Sequence, residues 1–401
     1  MQAYKNRLID ILSNAYSGIR KEMWVLAIAM LINRSGSMVL LFMSVYLTKQ
    51  KHFTIAEAGF IMGLFGAGSF VGAFVGGKLV DRIGFYPILI SSLVLSAICM
   101  ISLAYVDHFF WIGLLTFLVT STGDMFRPAN AASISTYSEP ENYPQSIALN
   151  RLAMNIGFTL GPVIGGILAS YNYTFLFWAD GLTCISAAFF LWWQLPRKKQ
   201  IKKESKESQS SLSPYQDRNY LLFLLFTTLY AMAFFQLLTT LPLYYKNVYH
   251  LGEKPIGWLM ALNGIGVAVI EMFLIYYLKN KWTSFKWIGL GAILLIGSYL
   301  LLMLTHSIWI LILNMILLTF SEMFAMPFMS THSMKKSENK NAGDYMALYA
   351  MSWSTALILA PIIGSQIIEH WGYPVLWIVV SGFGLLSYFG FRYLEKIESA
   401  R

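Results

Sequence analysis

The feature that most constrains this chain is the recurrence of apolar runs about twenty residues long, the length at which a helix crosses a hydrocarbon core of roughly 30 Å. A run of that kind hydrogen-bonds its whole backbone internally only as a helix. Twelve such runs can be read, over 23–48, 55–80, 86–105, 109–136, 144–170 and 173–195, then 219–246, 254–278, 284–304, 307–333, 342–369 and 373–394. The chain has 401 residues, of which 57% are hydrophobic and 12% charged. A water-soluble surface of this size needs far more charge. The expectation is an all-α membrane protein of twelve transmembrane helices in two pseudo-symmetric six-helix bundles, residues 23–195 and 219–394. Three polar pieces complete it: an N-terminal segment over 1–22, which Leu8, Ile9, Ile11 and Leu12 make potentially amphipathic, a linker over 196–218 and a tail over 395–401.

Basic residues sort the loops. With both termini inside, 22 of the 29 Lys and Arg fall at or beside cytoplasmic ends, four outside (Lys49, Lys51, Lys246, Lys254) and three within spans (Arg34, Arg127, Arg151). This is the asymmetry of a positive-inside topology. It accounts for the net charge of +9 with no nucleic-acid partner. Cys99 and Cys184 lie inside apolar runs and offer neither a disulfide framework nor zinc spacing. The six histidines lie in or beside loops or at the inner end of span 10, where solvated surface is expected, so no metal site and no cofactor is read.

The halves repeat. Shifted by 198, Gly59, Met62, Leu64, Gly66 and Gly68 meet Gly257, Met260, Leu262, Gly264 and Gly266; shifted by 199, Pro162 and Gly165 meet Pro361 and Gly364. An acid followed by Met-Phe recurs as Asp124-Met125-Phe126 and Glu322-Met323-Phe324. Repeated six-span halves are the plan of carriers with a binding site near the midplane.

Between spans 2 and 3 the chain reads Gly77-Lys78-Leu79-Val80-Asp81-Arg82-Ile83-Gly84, and span 5 reads Gly157-Phe158-Thr159-Leu160-Gly161-Pro162-Val163-Ile164-Gly165-Gly166. These resemble the signature loop of the major facilitator superfamily and the Gly-x-x-x-Gly-Pro-x-x-Gly-Gly motif of its antiporter branches, including the drug:proton exporters. The resemblance implies alternating access, with Gly77, Asp81, Arg82 and Gly84 as a gating loop and Gly161, Pro162 and Gly165 as a gating segment. It implies that Asp81 contacts the positive N-terminal end of helix 11, here near Ala342-Gly343-Asp344, and so favours an outward-open state. The glycines are expected to give a tight turn at the membrane face and close helix packing, and Pro162 to bend span 5.

Charge inside a span is expensive and defaults to function. Asp124 and Arg127 share one helical face, and Arg151 lies at a similar depth in span 5, so one acid among two bases is expected there, either structural or substrate-binding. Asn33 and Arg34, mid-span in helix 1, are expected at the cavity, where Arg34 either meets an anionic group of the cargo or pairs with Asp124 or Asp180. Asp180 is read as interfacial. Glu271 and Glu322 have no Lys or Arg within their spans away from the ends, which suits them to take and release a proton; Glu322 ranks first because Ala325 and Met326 stand where Arg127 would map. Of the aromatic residues, Phe234-Phe235 and Tyr244-Tyr245 are candidates for the cavity wall.

The function expected is proton-coupled export of an amphiphilic small molecule by a monomer in a bacterial inner membrane. Proton-coupled import of a peptide, sugar or siderophore-like anionic solute is the alternative. No nucleophile–base constellation supports an enzyme and no phosphate-cradling loop supports an ATP-driven pump. No filter-like loop supports a channel.

Overall fold

In a computed structural model the chain is described over residues 18–139, 142–198, 214–278, 281–304, 307–337 and 342–399. The N-terminal segment before Gly18, most of the linker and position 279, which aligns with Asp81, lie outside them. The described residues hold α1 (Lys21–Lys49), α2 (Ile55–Ile83), α3 (Phe85–Leu103), α4 (Phe109–Tyr137), α5 (Tyr143–Tyr171) and α6 (Thr174–Gln194). The second half holds α7 (Arg218–Asn247), α8 (Glu253–Leu278), α9 (Ser284–Leu301), α10 (Ile308–Ser337) and the helical stretch Ala342–Ser399. That stretch is two helices, α11 (342–371) and α12 (373–399), joined at Gly372 in the left-handed region (φ 82°). Among the described residues ten helical segments, Ala342–Ser399 supplying one, are long and apolar enough to cross a membrane. α8, of 26 residues, packs along α5.

The helix ends follow local chemistry. Thr54 and Glu57 close a capping box at the start of α2. Asp217 accepts the Tyr220 N–H at the start of α7, so the end of the linker is already structured. α12 runs past the expected end at 394 because Arg392–Glu395 and Lys336–Glu398 ion pairs hold its last turns. The glycines of the signature loop do not all turn. Gly76 and Gly77 are helical within α2, and Gly84 alone, at φ 88°, makes the corner into α3.

Three helices are interrupted. α1 opens at Gly36–Met38, α4 at Met125 and α7 at Phe235. The breaks in α1 and α7 are 199 residues apart, which is the repeat shift. His52 and His250, 198 apart, both sit in the left-handed region (φ 58° and 54°) in the loops that follow. The pseudo-symmetry of the sequence is thus written into the backbone.

The halves touch on one side. Call the face bearing Lys21 and Ser399 the terminal face and the opposite one the far face. In the half toward the far face Gly59, Gly63 and Gly66 of α2 lie so close to Pro361–Ser365, Ile362 and Leu357 of α11 that a Cβ would collide. Gly166 meets Gly257 of α8, and Gly264 meets Thr159 of α5, in the same way. Ala56 N–H donates to Glu369 (2.6 Å) and Tyr173 to Glu253 (2.8 Å) across the far rim. Toward the terminal face no hydrogen bond or ion pair among the described residues links the halves. The outer surface is apolar where lipid would lie, with Ile98, Leu182, Phe189, Leu313 and Leu386 exposed. Trp192 and Trp193 form the expected aromatic edge.

Candidate functional site

Below the closed seams lies a cavity of about 710 Å³ between the halves. Leu40, Leu41, Leu237, Met260 and Pro162 roof it toward the far face; Asn155, Met346, Ala350 and Arg127 line it toward the terminal face. Arg127, 57% exposed, stands at this mouth.

The break in α1 delivers Asn33 and Arg34 to the wall. α5 fixes it there. A Cβ on Gly157 would press on Arg34 and the backbone of Ser35, and one on Gly165 would press on Met38. The span 5 glycines therefore seat the interrupted helix, while Gly166 forms the seam with α8. α5 stays one continuous helix through Pro162. Asp180 departs from its expected place. It is buried in the cavity wall, not interfacial, because α6 packs along α1 there, and its carboxylate accepts from the Cys184 thiol at 4.0 Å. Asn33 donates to Cys184 Sγ (3.3 Å) beside it.

Asp124 ends the first segment of α4 and forms an ion pair with Arg127 Nε (2.9 Å). It also accepts from the Ser69 hydroxyl. Arg151 does not join them. It is exposed on α5 outside the cavity, and the charge it faces is Glu271 of α8. In the antiparallel α5–α8 pair, Gly166 and Thr159 meet Gly257 and Gly264, and the same register brings position 151 beside 271–272. Glu271 is therefore neither without a cation nearby nor on the cavity wall. Spacing along a helix gives depth, but it does not give the neighbour across the seam.

Glu322 does line the cavity, from α10, opposite the Asp124 wall. It accepts from Asn263 Nδ2 of α8 (2.9 Å), which also donates to Thr319 (3.2 Å). No ion pair reaches it among the described residues. Phe234 and Phe235 line the cavity with Tyr349 and Trp353, whereas Tyr244 and Tyr245 are buried in the core, bonded to Leu302 O and Asn314. Asp81 and Arg82 are exposed at the terminal end of α2, and Gly77 faces open space. A polar cluster on each of two facing walls and an aromatic surface around a one-sided cavity can bind a small molecule and hold a proton.

Comparison with known proteins gives the same picture. The profile described as Major Facilitator Superfamily matches residues 26–356 and 253–401. A Na(+), Li(+), K(+)/H(+) antiporter of Planococcus maritimus is 24% identical over 403 residues, covering 90% of this chain and 92% of the relative. Multidrug resistance protein MdtH of Edwardsiella ictaluri is 23% identical over 209 residues, 52% of this chain and 50% of the relative. The crystal structure of a peptide transporter, POT, superposes with a TM-score of 0.80 at 14% identity over 96% of each chain, a likeness of fold.

Proposed function

We propose that this chain, which belongs to the Major Facilitator Superfamily, is a proton-coupled exporter of an amphiphilic small molecule, with Glu322 carrying the coupled proton. The observation that carries the reading is Glu322 itself: a carboxyl on the wall of the central cavity, held by an amide and in no ion pair among the described residues. Such a group keeps its proton while its surroundings are dry and yields it when water reaches it. Asp124, at the equivalent place in the other half, is committed to Arg127 and Ser69 and anchors the wall.

With the termini in the cytoplasm, as the basic residues favour, the cavity opens inward. Cargo enters from that side. Closing the terminal side and parting the glycine seams then presents cargo and Glu322 to the outside, where a proton replaces it for the return. The names of the relatives, a cation/proton antiporter and a multidrug resistance protein, support proton exchange and efflux. Arg34 favours a second reading, import of an anionic solute together with the proton.

Reconstituted vesicles loaded with a pH dye test both. Adding a transported amphiphile to the wild type should move protons against it in the export reading and with it in the import reading. Glu322→Gln should abolish solute-linked proton movement while solute–solute exchange continues. Proton movement at the wild-type rate in Glu322→Gln would place the coupling site elsewhere.

A further inference from the structure

We infer that the cargo carries a carboxylate that docks on Arg34, its apolar body lying along Phe234, Phe235 and Trp353. This rests on the transporter reading of the cavity and adds the chemical class of what is moved.

Arg34 lines the cavity, yet its guanidinium makes no hydrogen bond or ion pair with any described residue, and its Nε is fully buried without a partner. The two acids within electrostatic reach are engaged elsewhere. Asp124 is bound to Arg127 and Ser69, and Asp180 accepts from the Cys184 thiol (4.0 Å) and makes no ion pair with Arg34. The Phe158 ring lies 5.4 Å from the guanidinium carbon and covers one side of it. What remains is the donor edge of the fork. Arg34 is half-buried, and a cation taken partly out of water without a partner is unfavourable; an anion that desolvates with it offsets that penalty. The fork matches a carboxylate with two parallel N–H···O bonds, a geometry an ammonium cannot supply. Gly157 fixes the position by pressing α5 against Arg34 at its own Cβ, so the guanidinium cannot retreat by a shift of its backbone. Across the cavity Phe234, Phe235 and Trp353 give an aromatic surface, the other half of a site for an amphiphilic acid.

The test uses the purified full-length chain and matched acid–amide pairs that differ only in charge: 1-naphthaleneacetate with its amide, indole-3-acetate with its amide, 4-phenylbutyrate with its amide, and decanoate with decanamide. Binding is read from the ligand-dependent shift in melting temperature, titrated to an affinity. At least one acid should bind about tenfold or more tightly than its amide. Arg34→Gln should bring that ratio to about one, and Arg34→Lys, which keeps the charge but loses the fork, should lower it part of the way. If the Gln variant fails to fold, the Arg34→Lys ratio decides the matter. No preference for the acid in any pair with the wild type, or an undiminished preference in Arg34→Gln or Arg34→Lys, overturns the inference. Glu322→Gln separates it from the proton reading: it should keep the acid preference, and loss of that preference with Arg34 intact would also overturn the carboxylate site.

Discussion

Gly157 and Gly77 are the same residue with opposite environments. Beside Gly157 there is no room for a Cβ, while nothing lies within 4 Å of one at Gly77. Gly157→Ala should therefore lower the stability of the purified protein by about 1–3 kcal/mol through overpacking against Arg34. Gly77→Ala should leave it unchanged or raise it by up to ~1 kcal/mol, since a mid-helix glycine weakens a helix. Thermal unfolding of the two variants side by side checks the contrast, and equal losses would show that the α5–α1 contact does not decide stability. Arg34, Asp124 and Glu322 stand out in the sequence, because charge inside an apolar run is conspicuous without a structure. The place of Asp180 is not legible there, because its burial depends on how α6 packs against α1. Nor is that of Arg151, because periodicity fixes depth and face, not which neighbour a face meets.

The spans are legible as elements, since length and hydropathy specify them directly. Their interruptions are only partly so. Pro128, which cannot donate to the Asp124 carbonyl one turn back, marks the break at Met125, but no proline marks those at Gly36 or Phe235, and Pro162, Pro327 and Pro361 lie inside continuous helices. The two breaks without a proline come from tertiary contacts: Gly36 beneath Thr183, and Gln236 donating to Ala360 O (3.0 Å). α11 allows a direct check of the one-sided opening. Ser365 is buried against Gly59 in the seam, and Ser354, three turns earlier, lines the cavity. In a Cys99→Ala, Cys184→Ala background, Ser354→Cys should react with a maleimide added from the terminal side, and Ser365→Cys should not. Labelling of both at similar rates would mean that the far-side seam is open for much of the time.

At the scale of the molecule, two six-helix halves share the break of their first helix, their left-handed loop histidines and their midplane acids, and differ in the break of α4 and in what accompanies those acids. Function, on this reading, lives in the asymmetry: an anchored charge on one side and a proton carrier on the other. The seam between them is mostly close-packed glycine, closed at the far rim by two hydrogen bonds to Glu369 and Glu253, and among the described residues every ion pair stays within its own half. The glycine contacts are held by short-range dispersion, which mobile ions do not screen. Solute–solute exchange in vesicles should accordingly keep its rate between about 0.05 and 0.5 M potassium chloride, a span over which the screening length shrinks severalfold. A steep dependence would mean that charges facing each other across the halves, Arg151 and Glu271 first among them, govern the step. With the seam intact and the termini in the cytoplasm, as proposed, the molecule would behave as a socket facing the cell interior, and a blocker too polar to cross the bilayer would be inert when supplied from the medium.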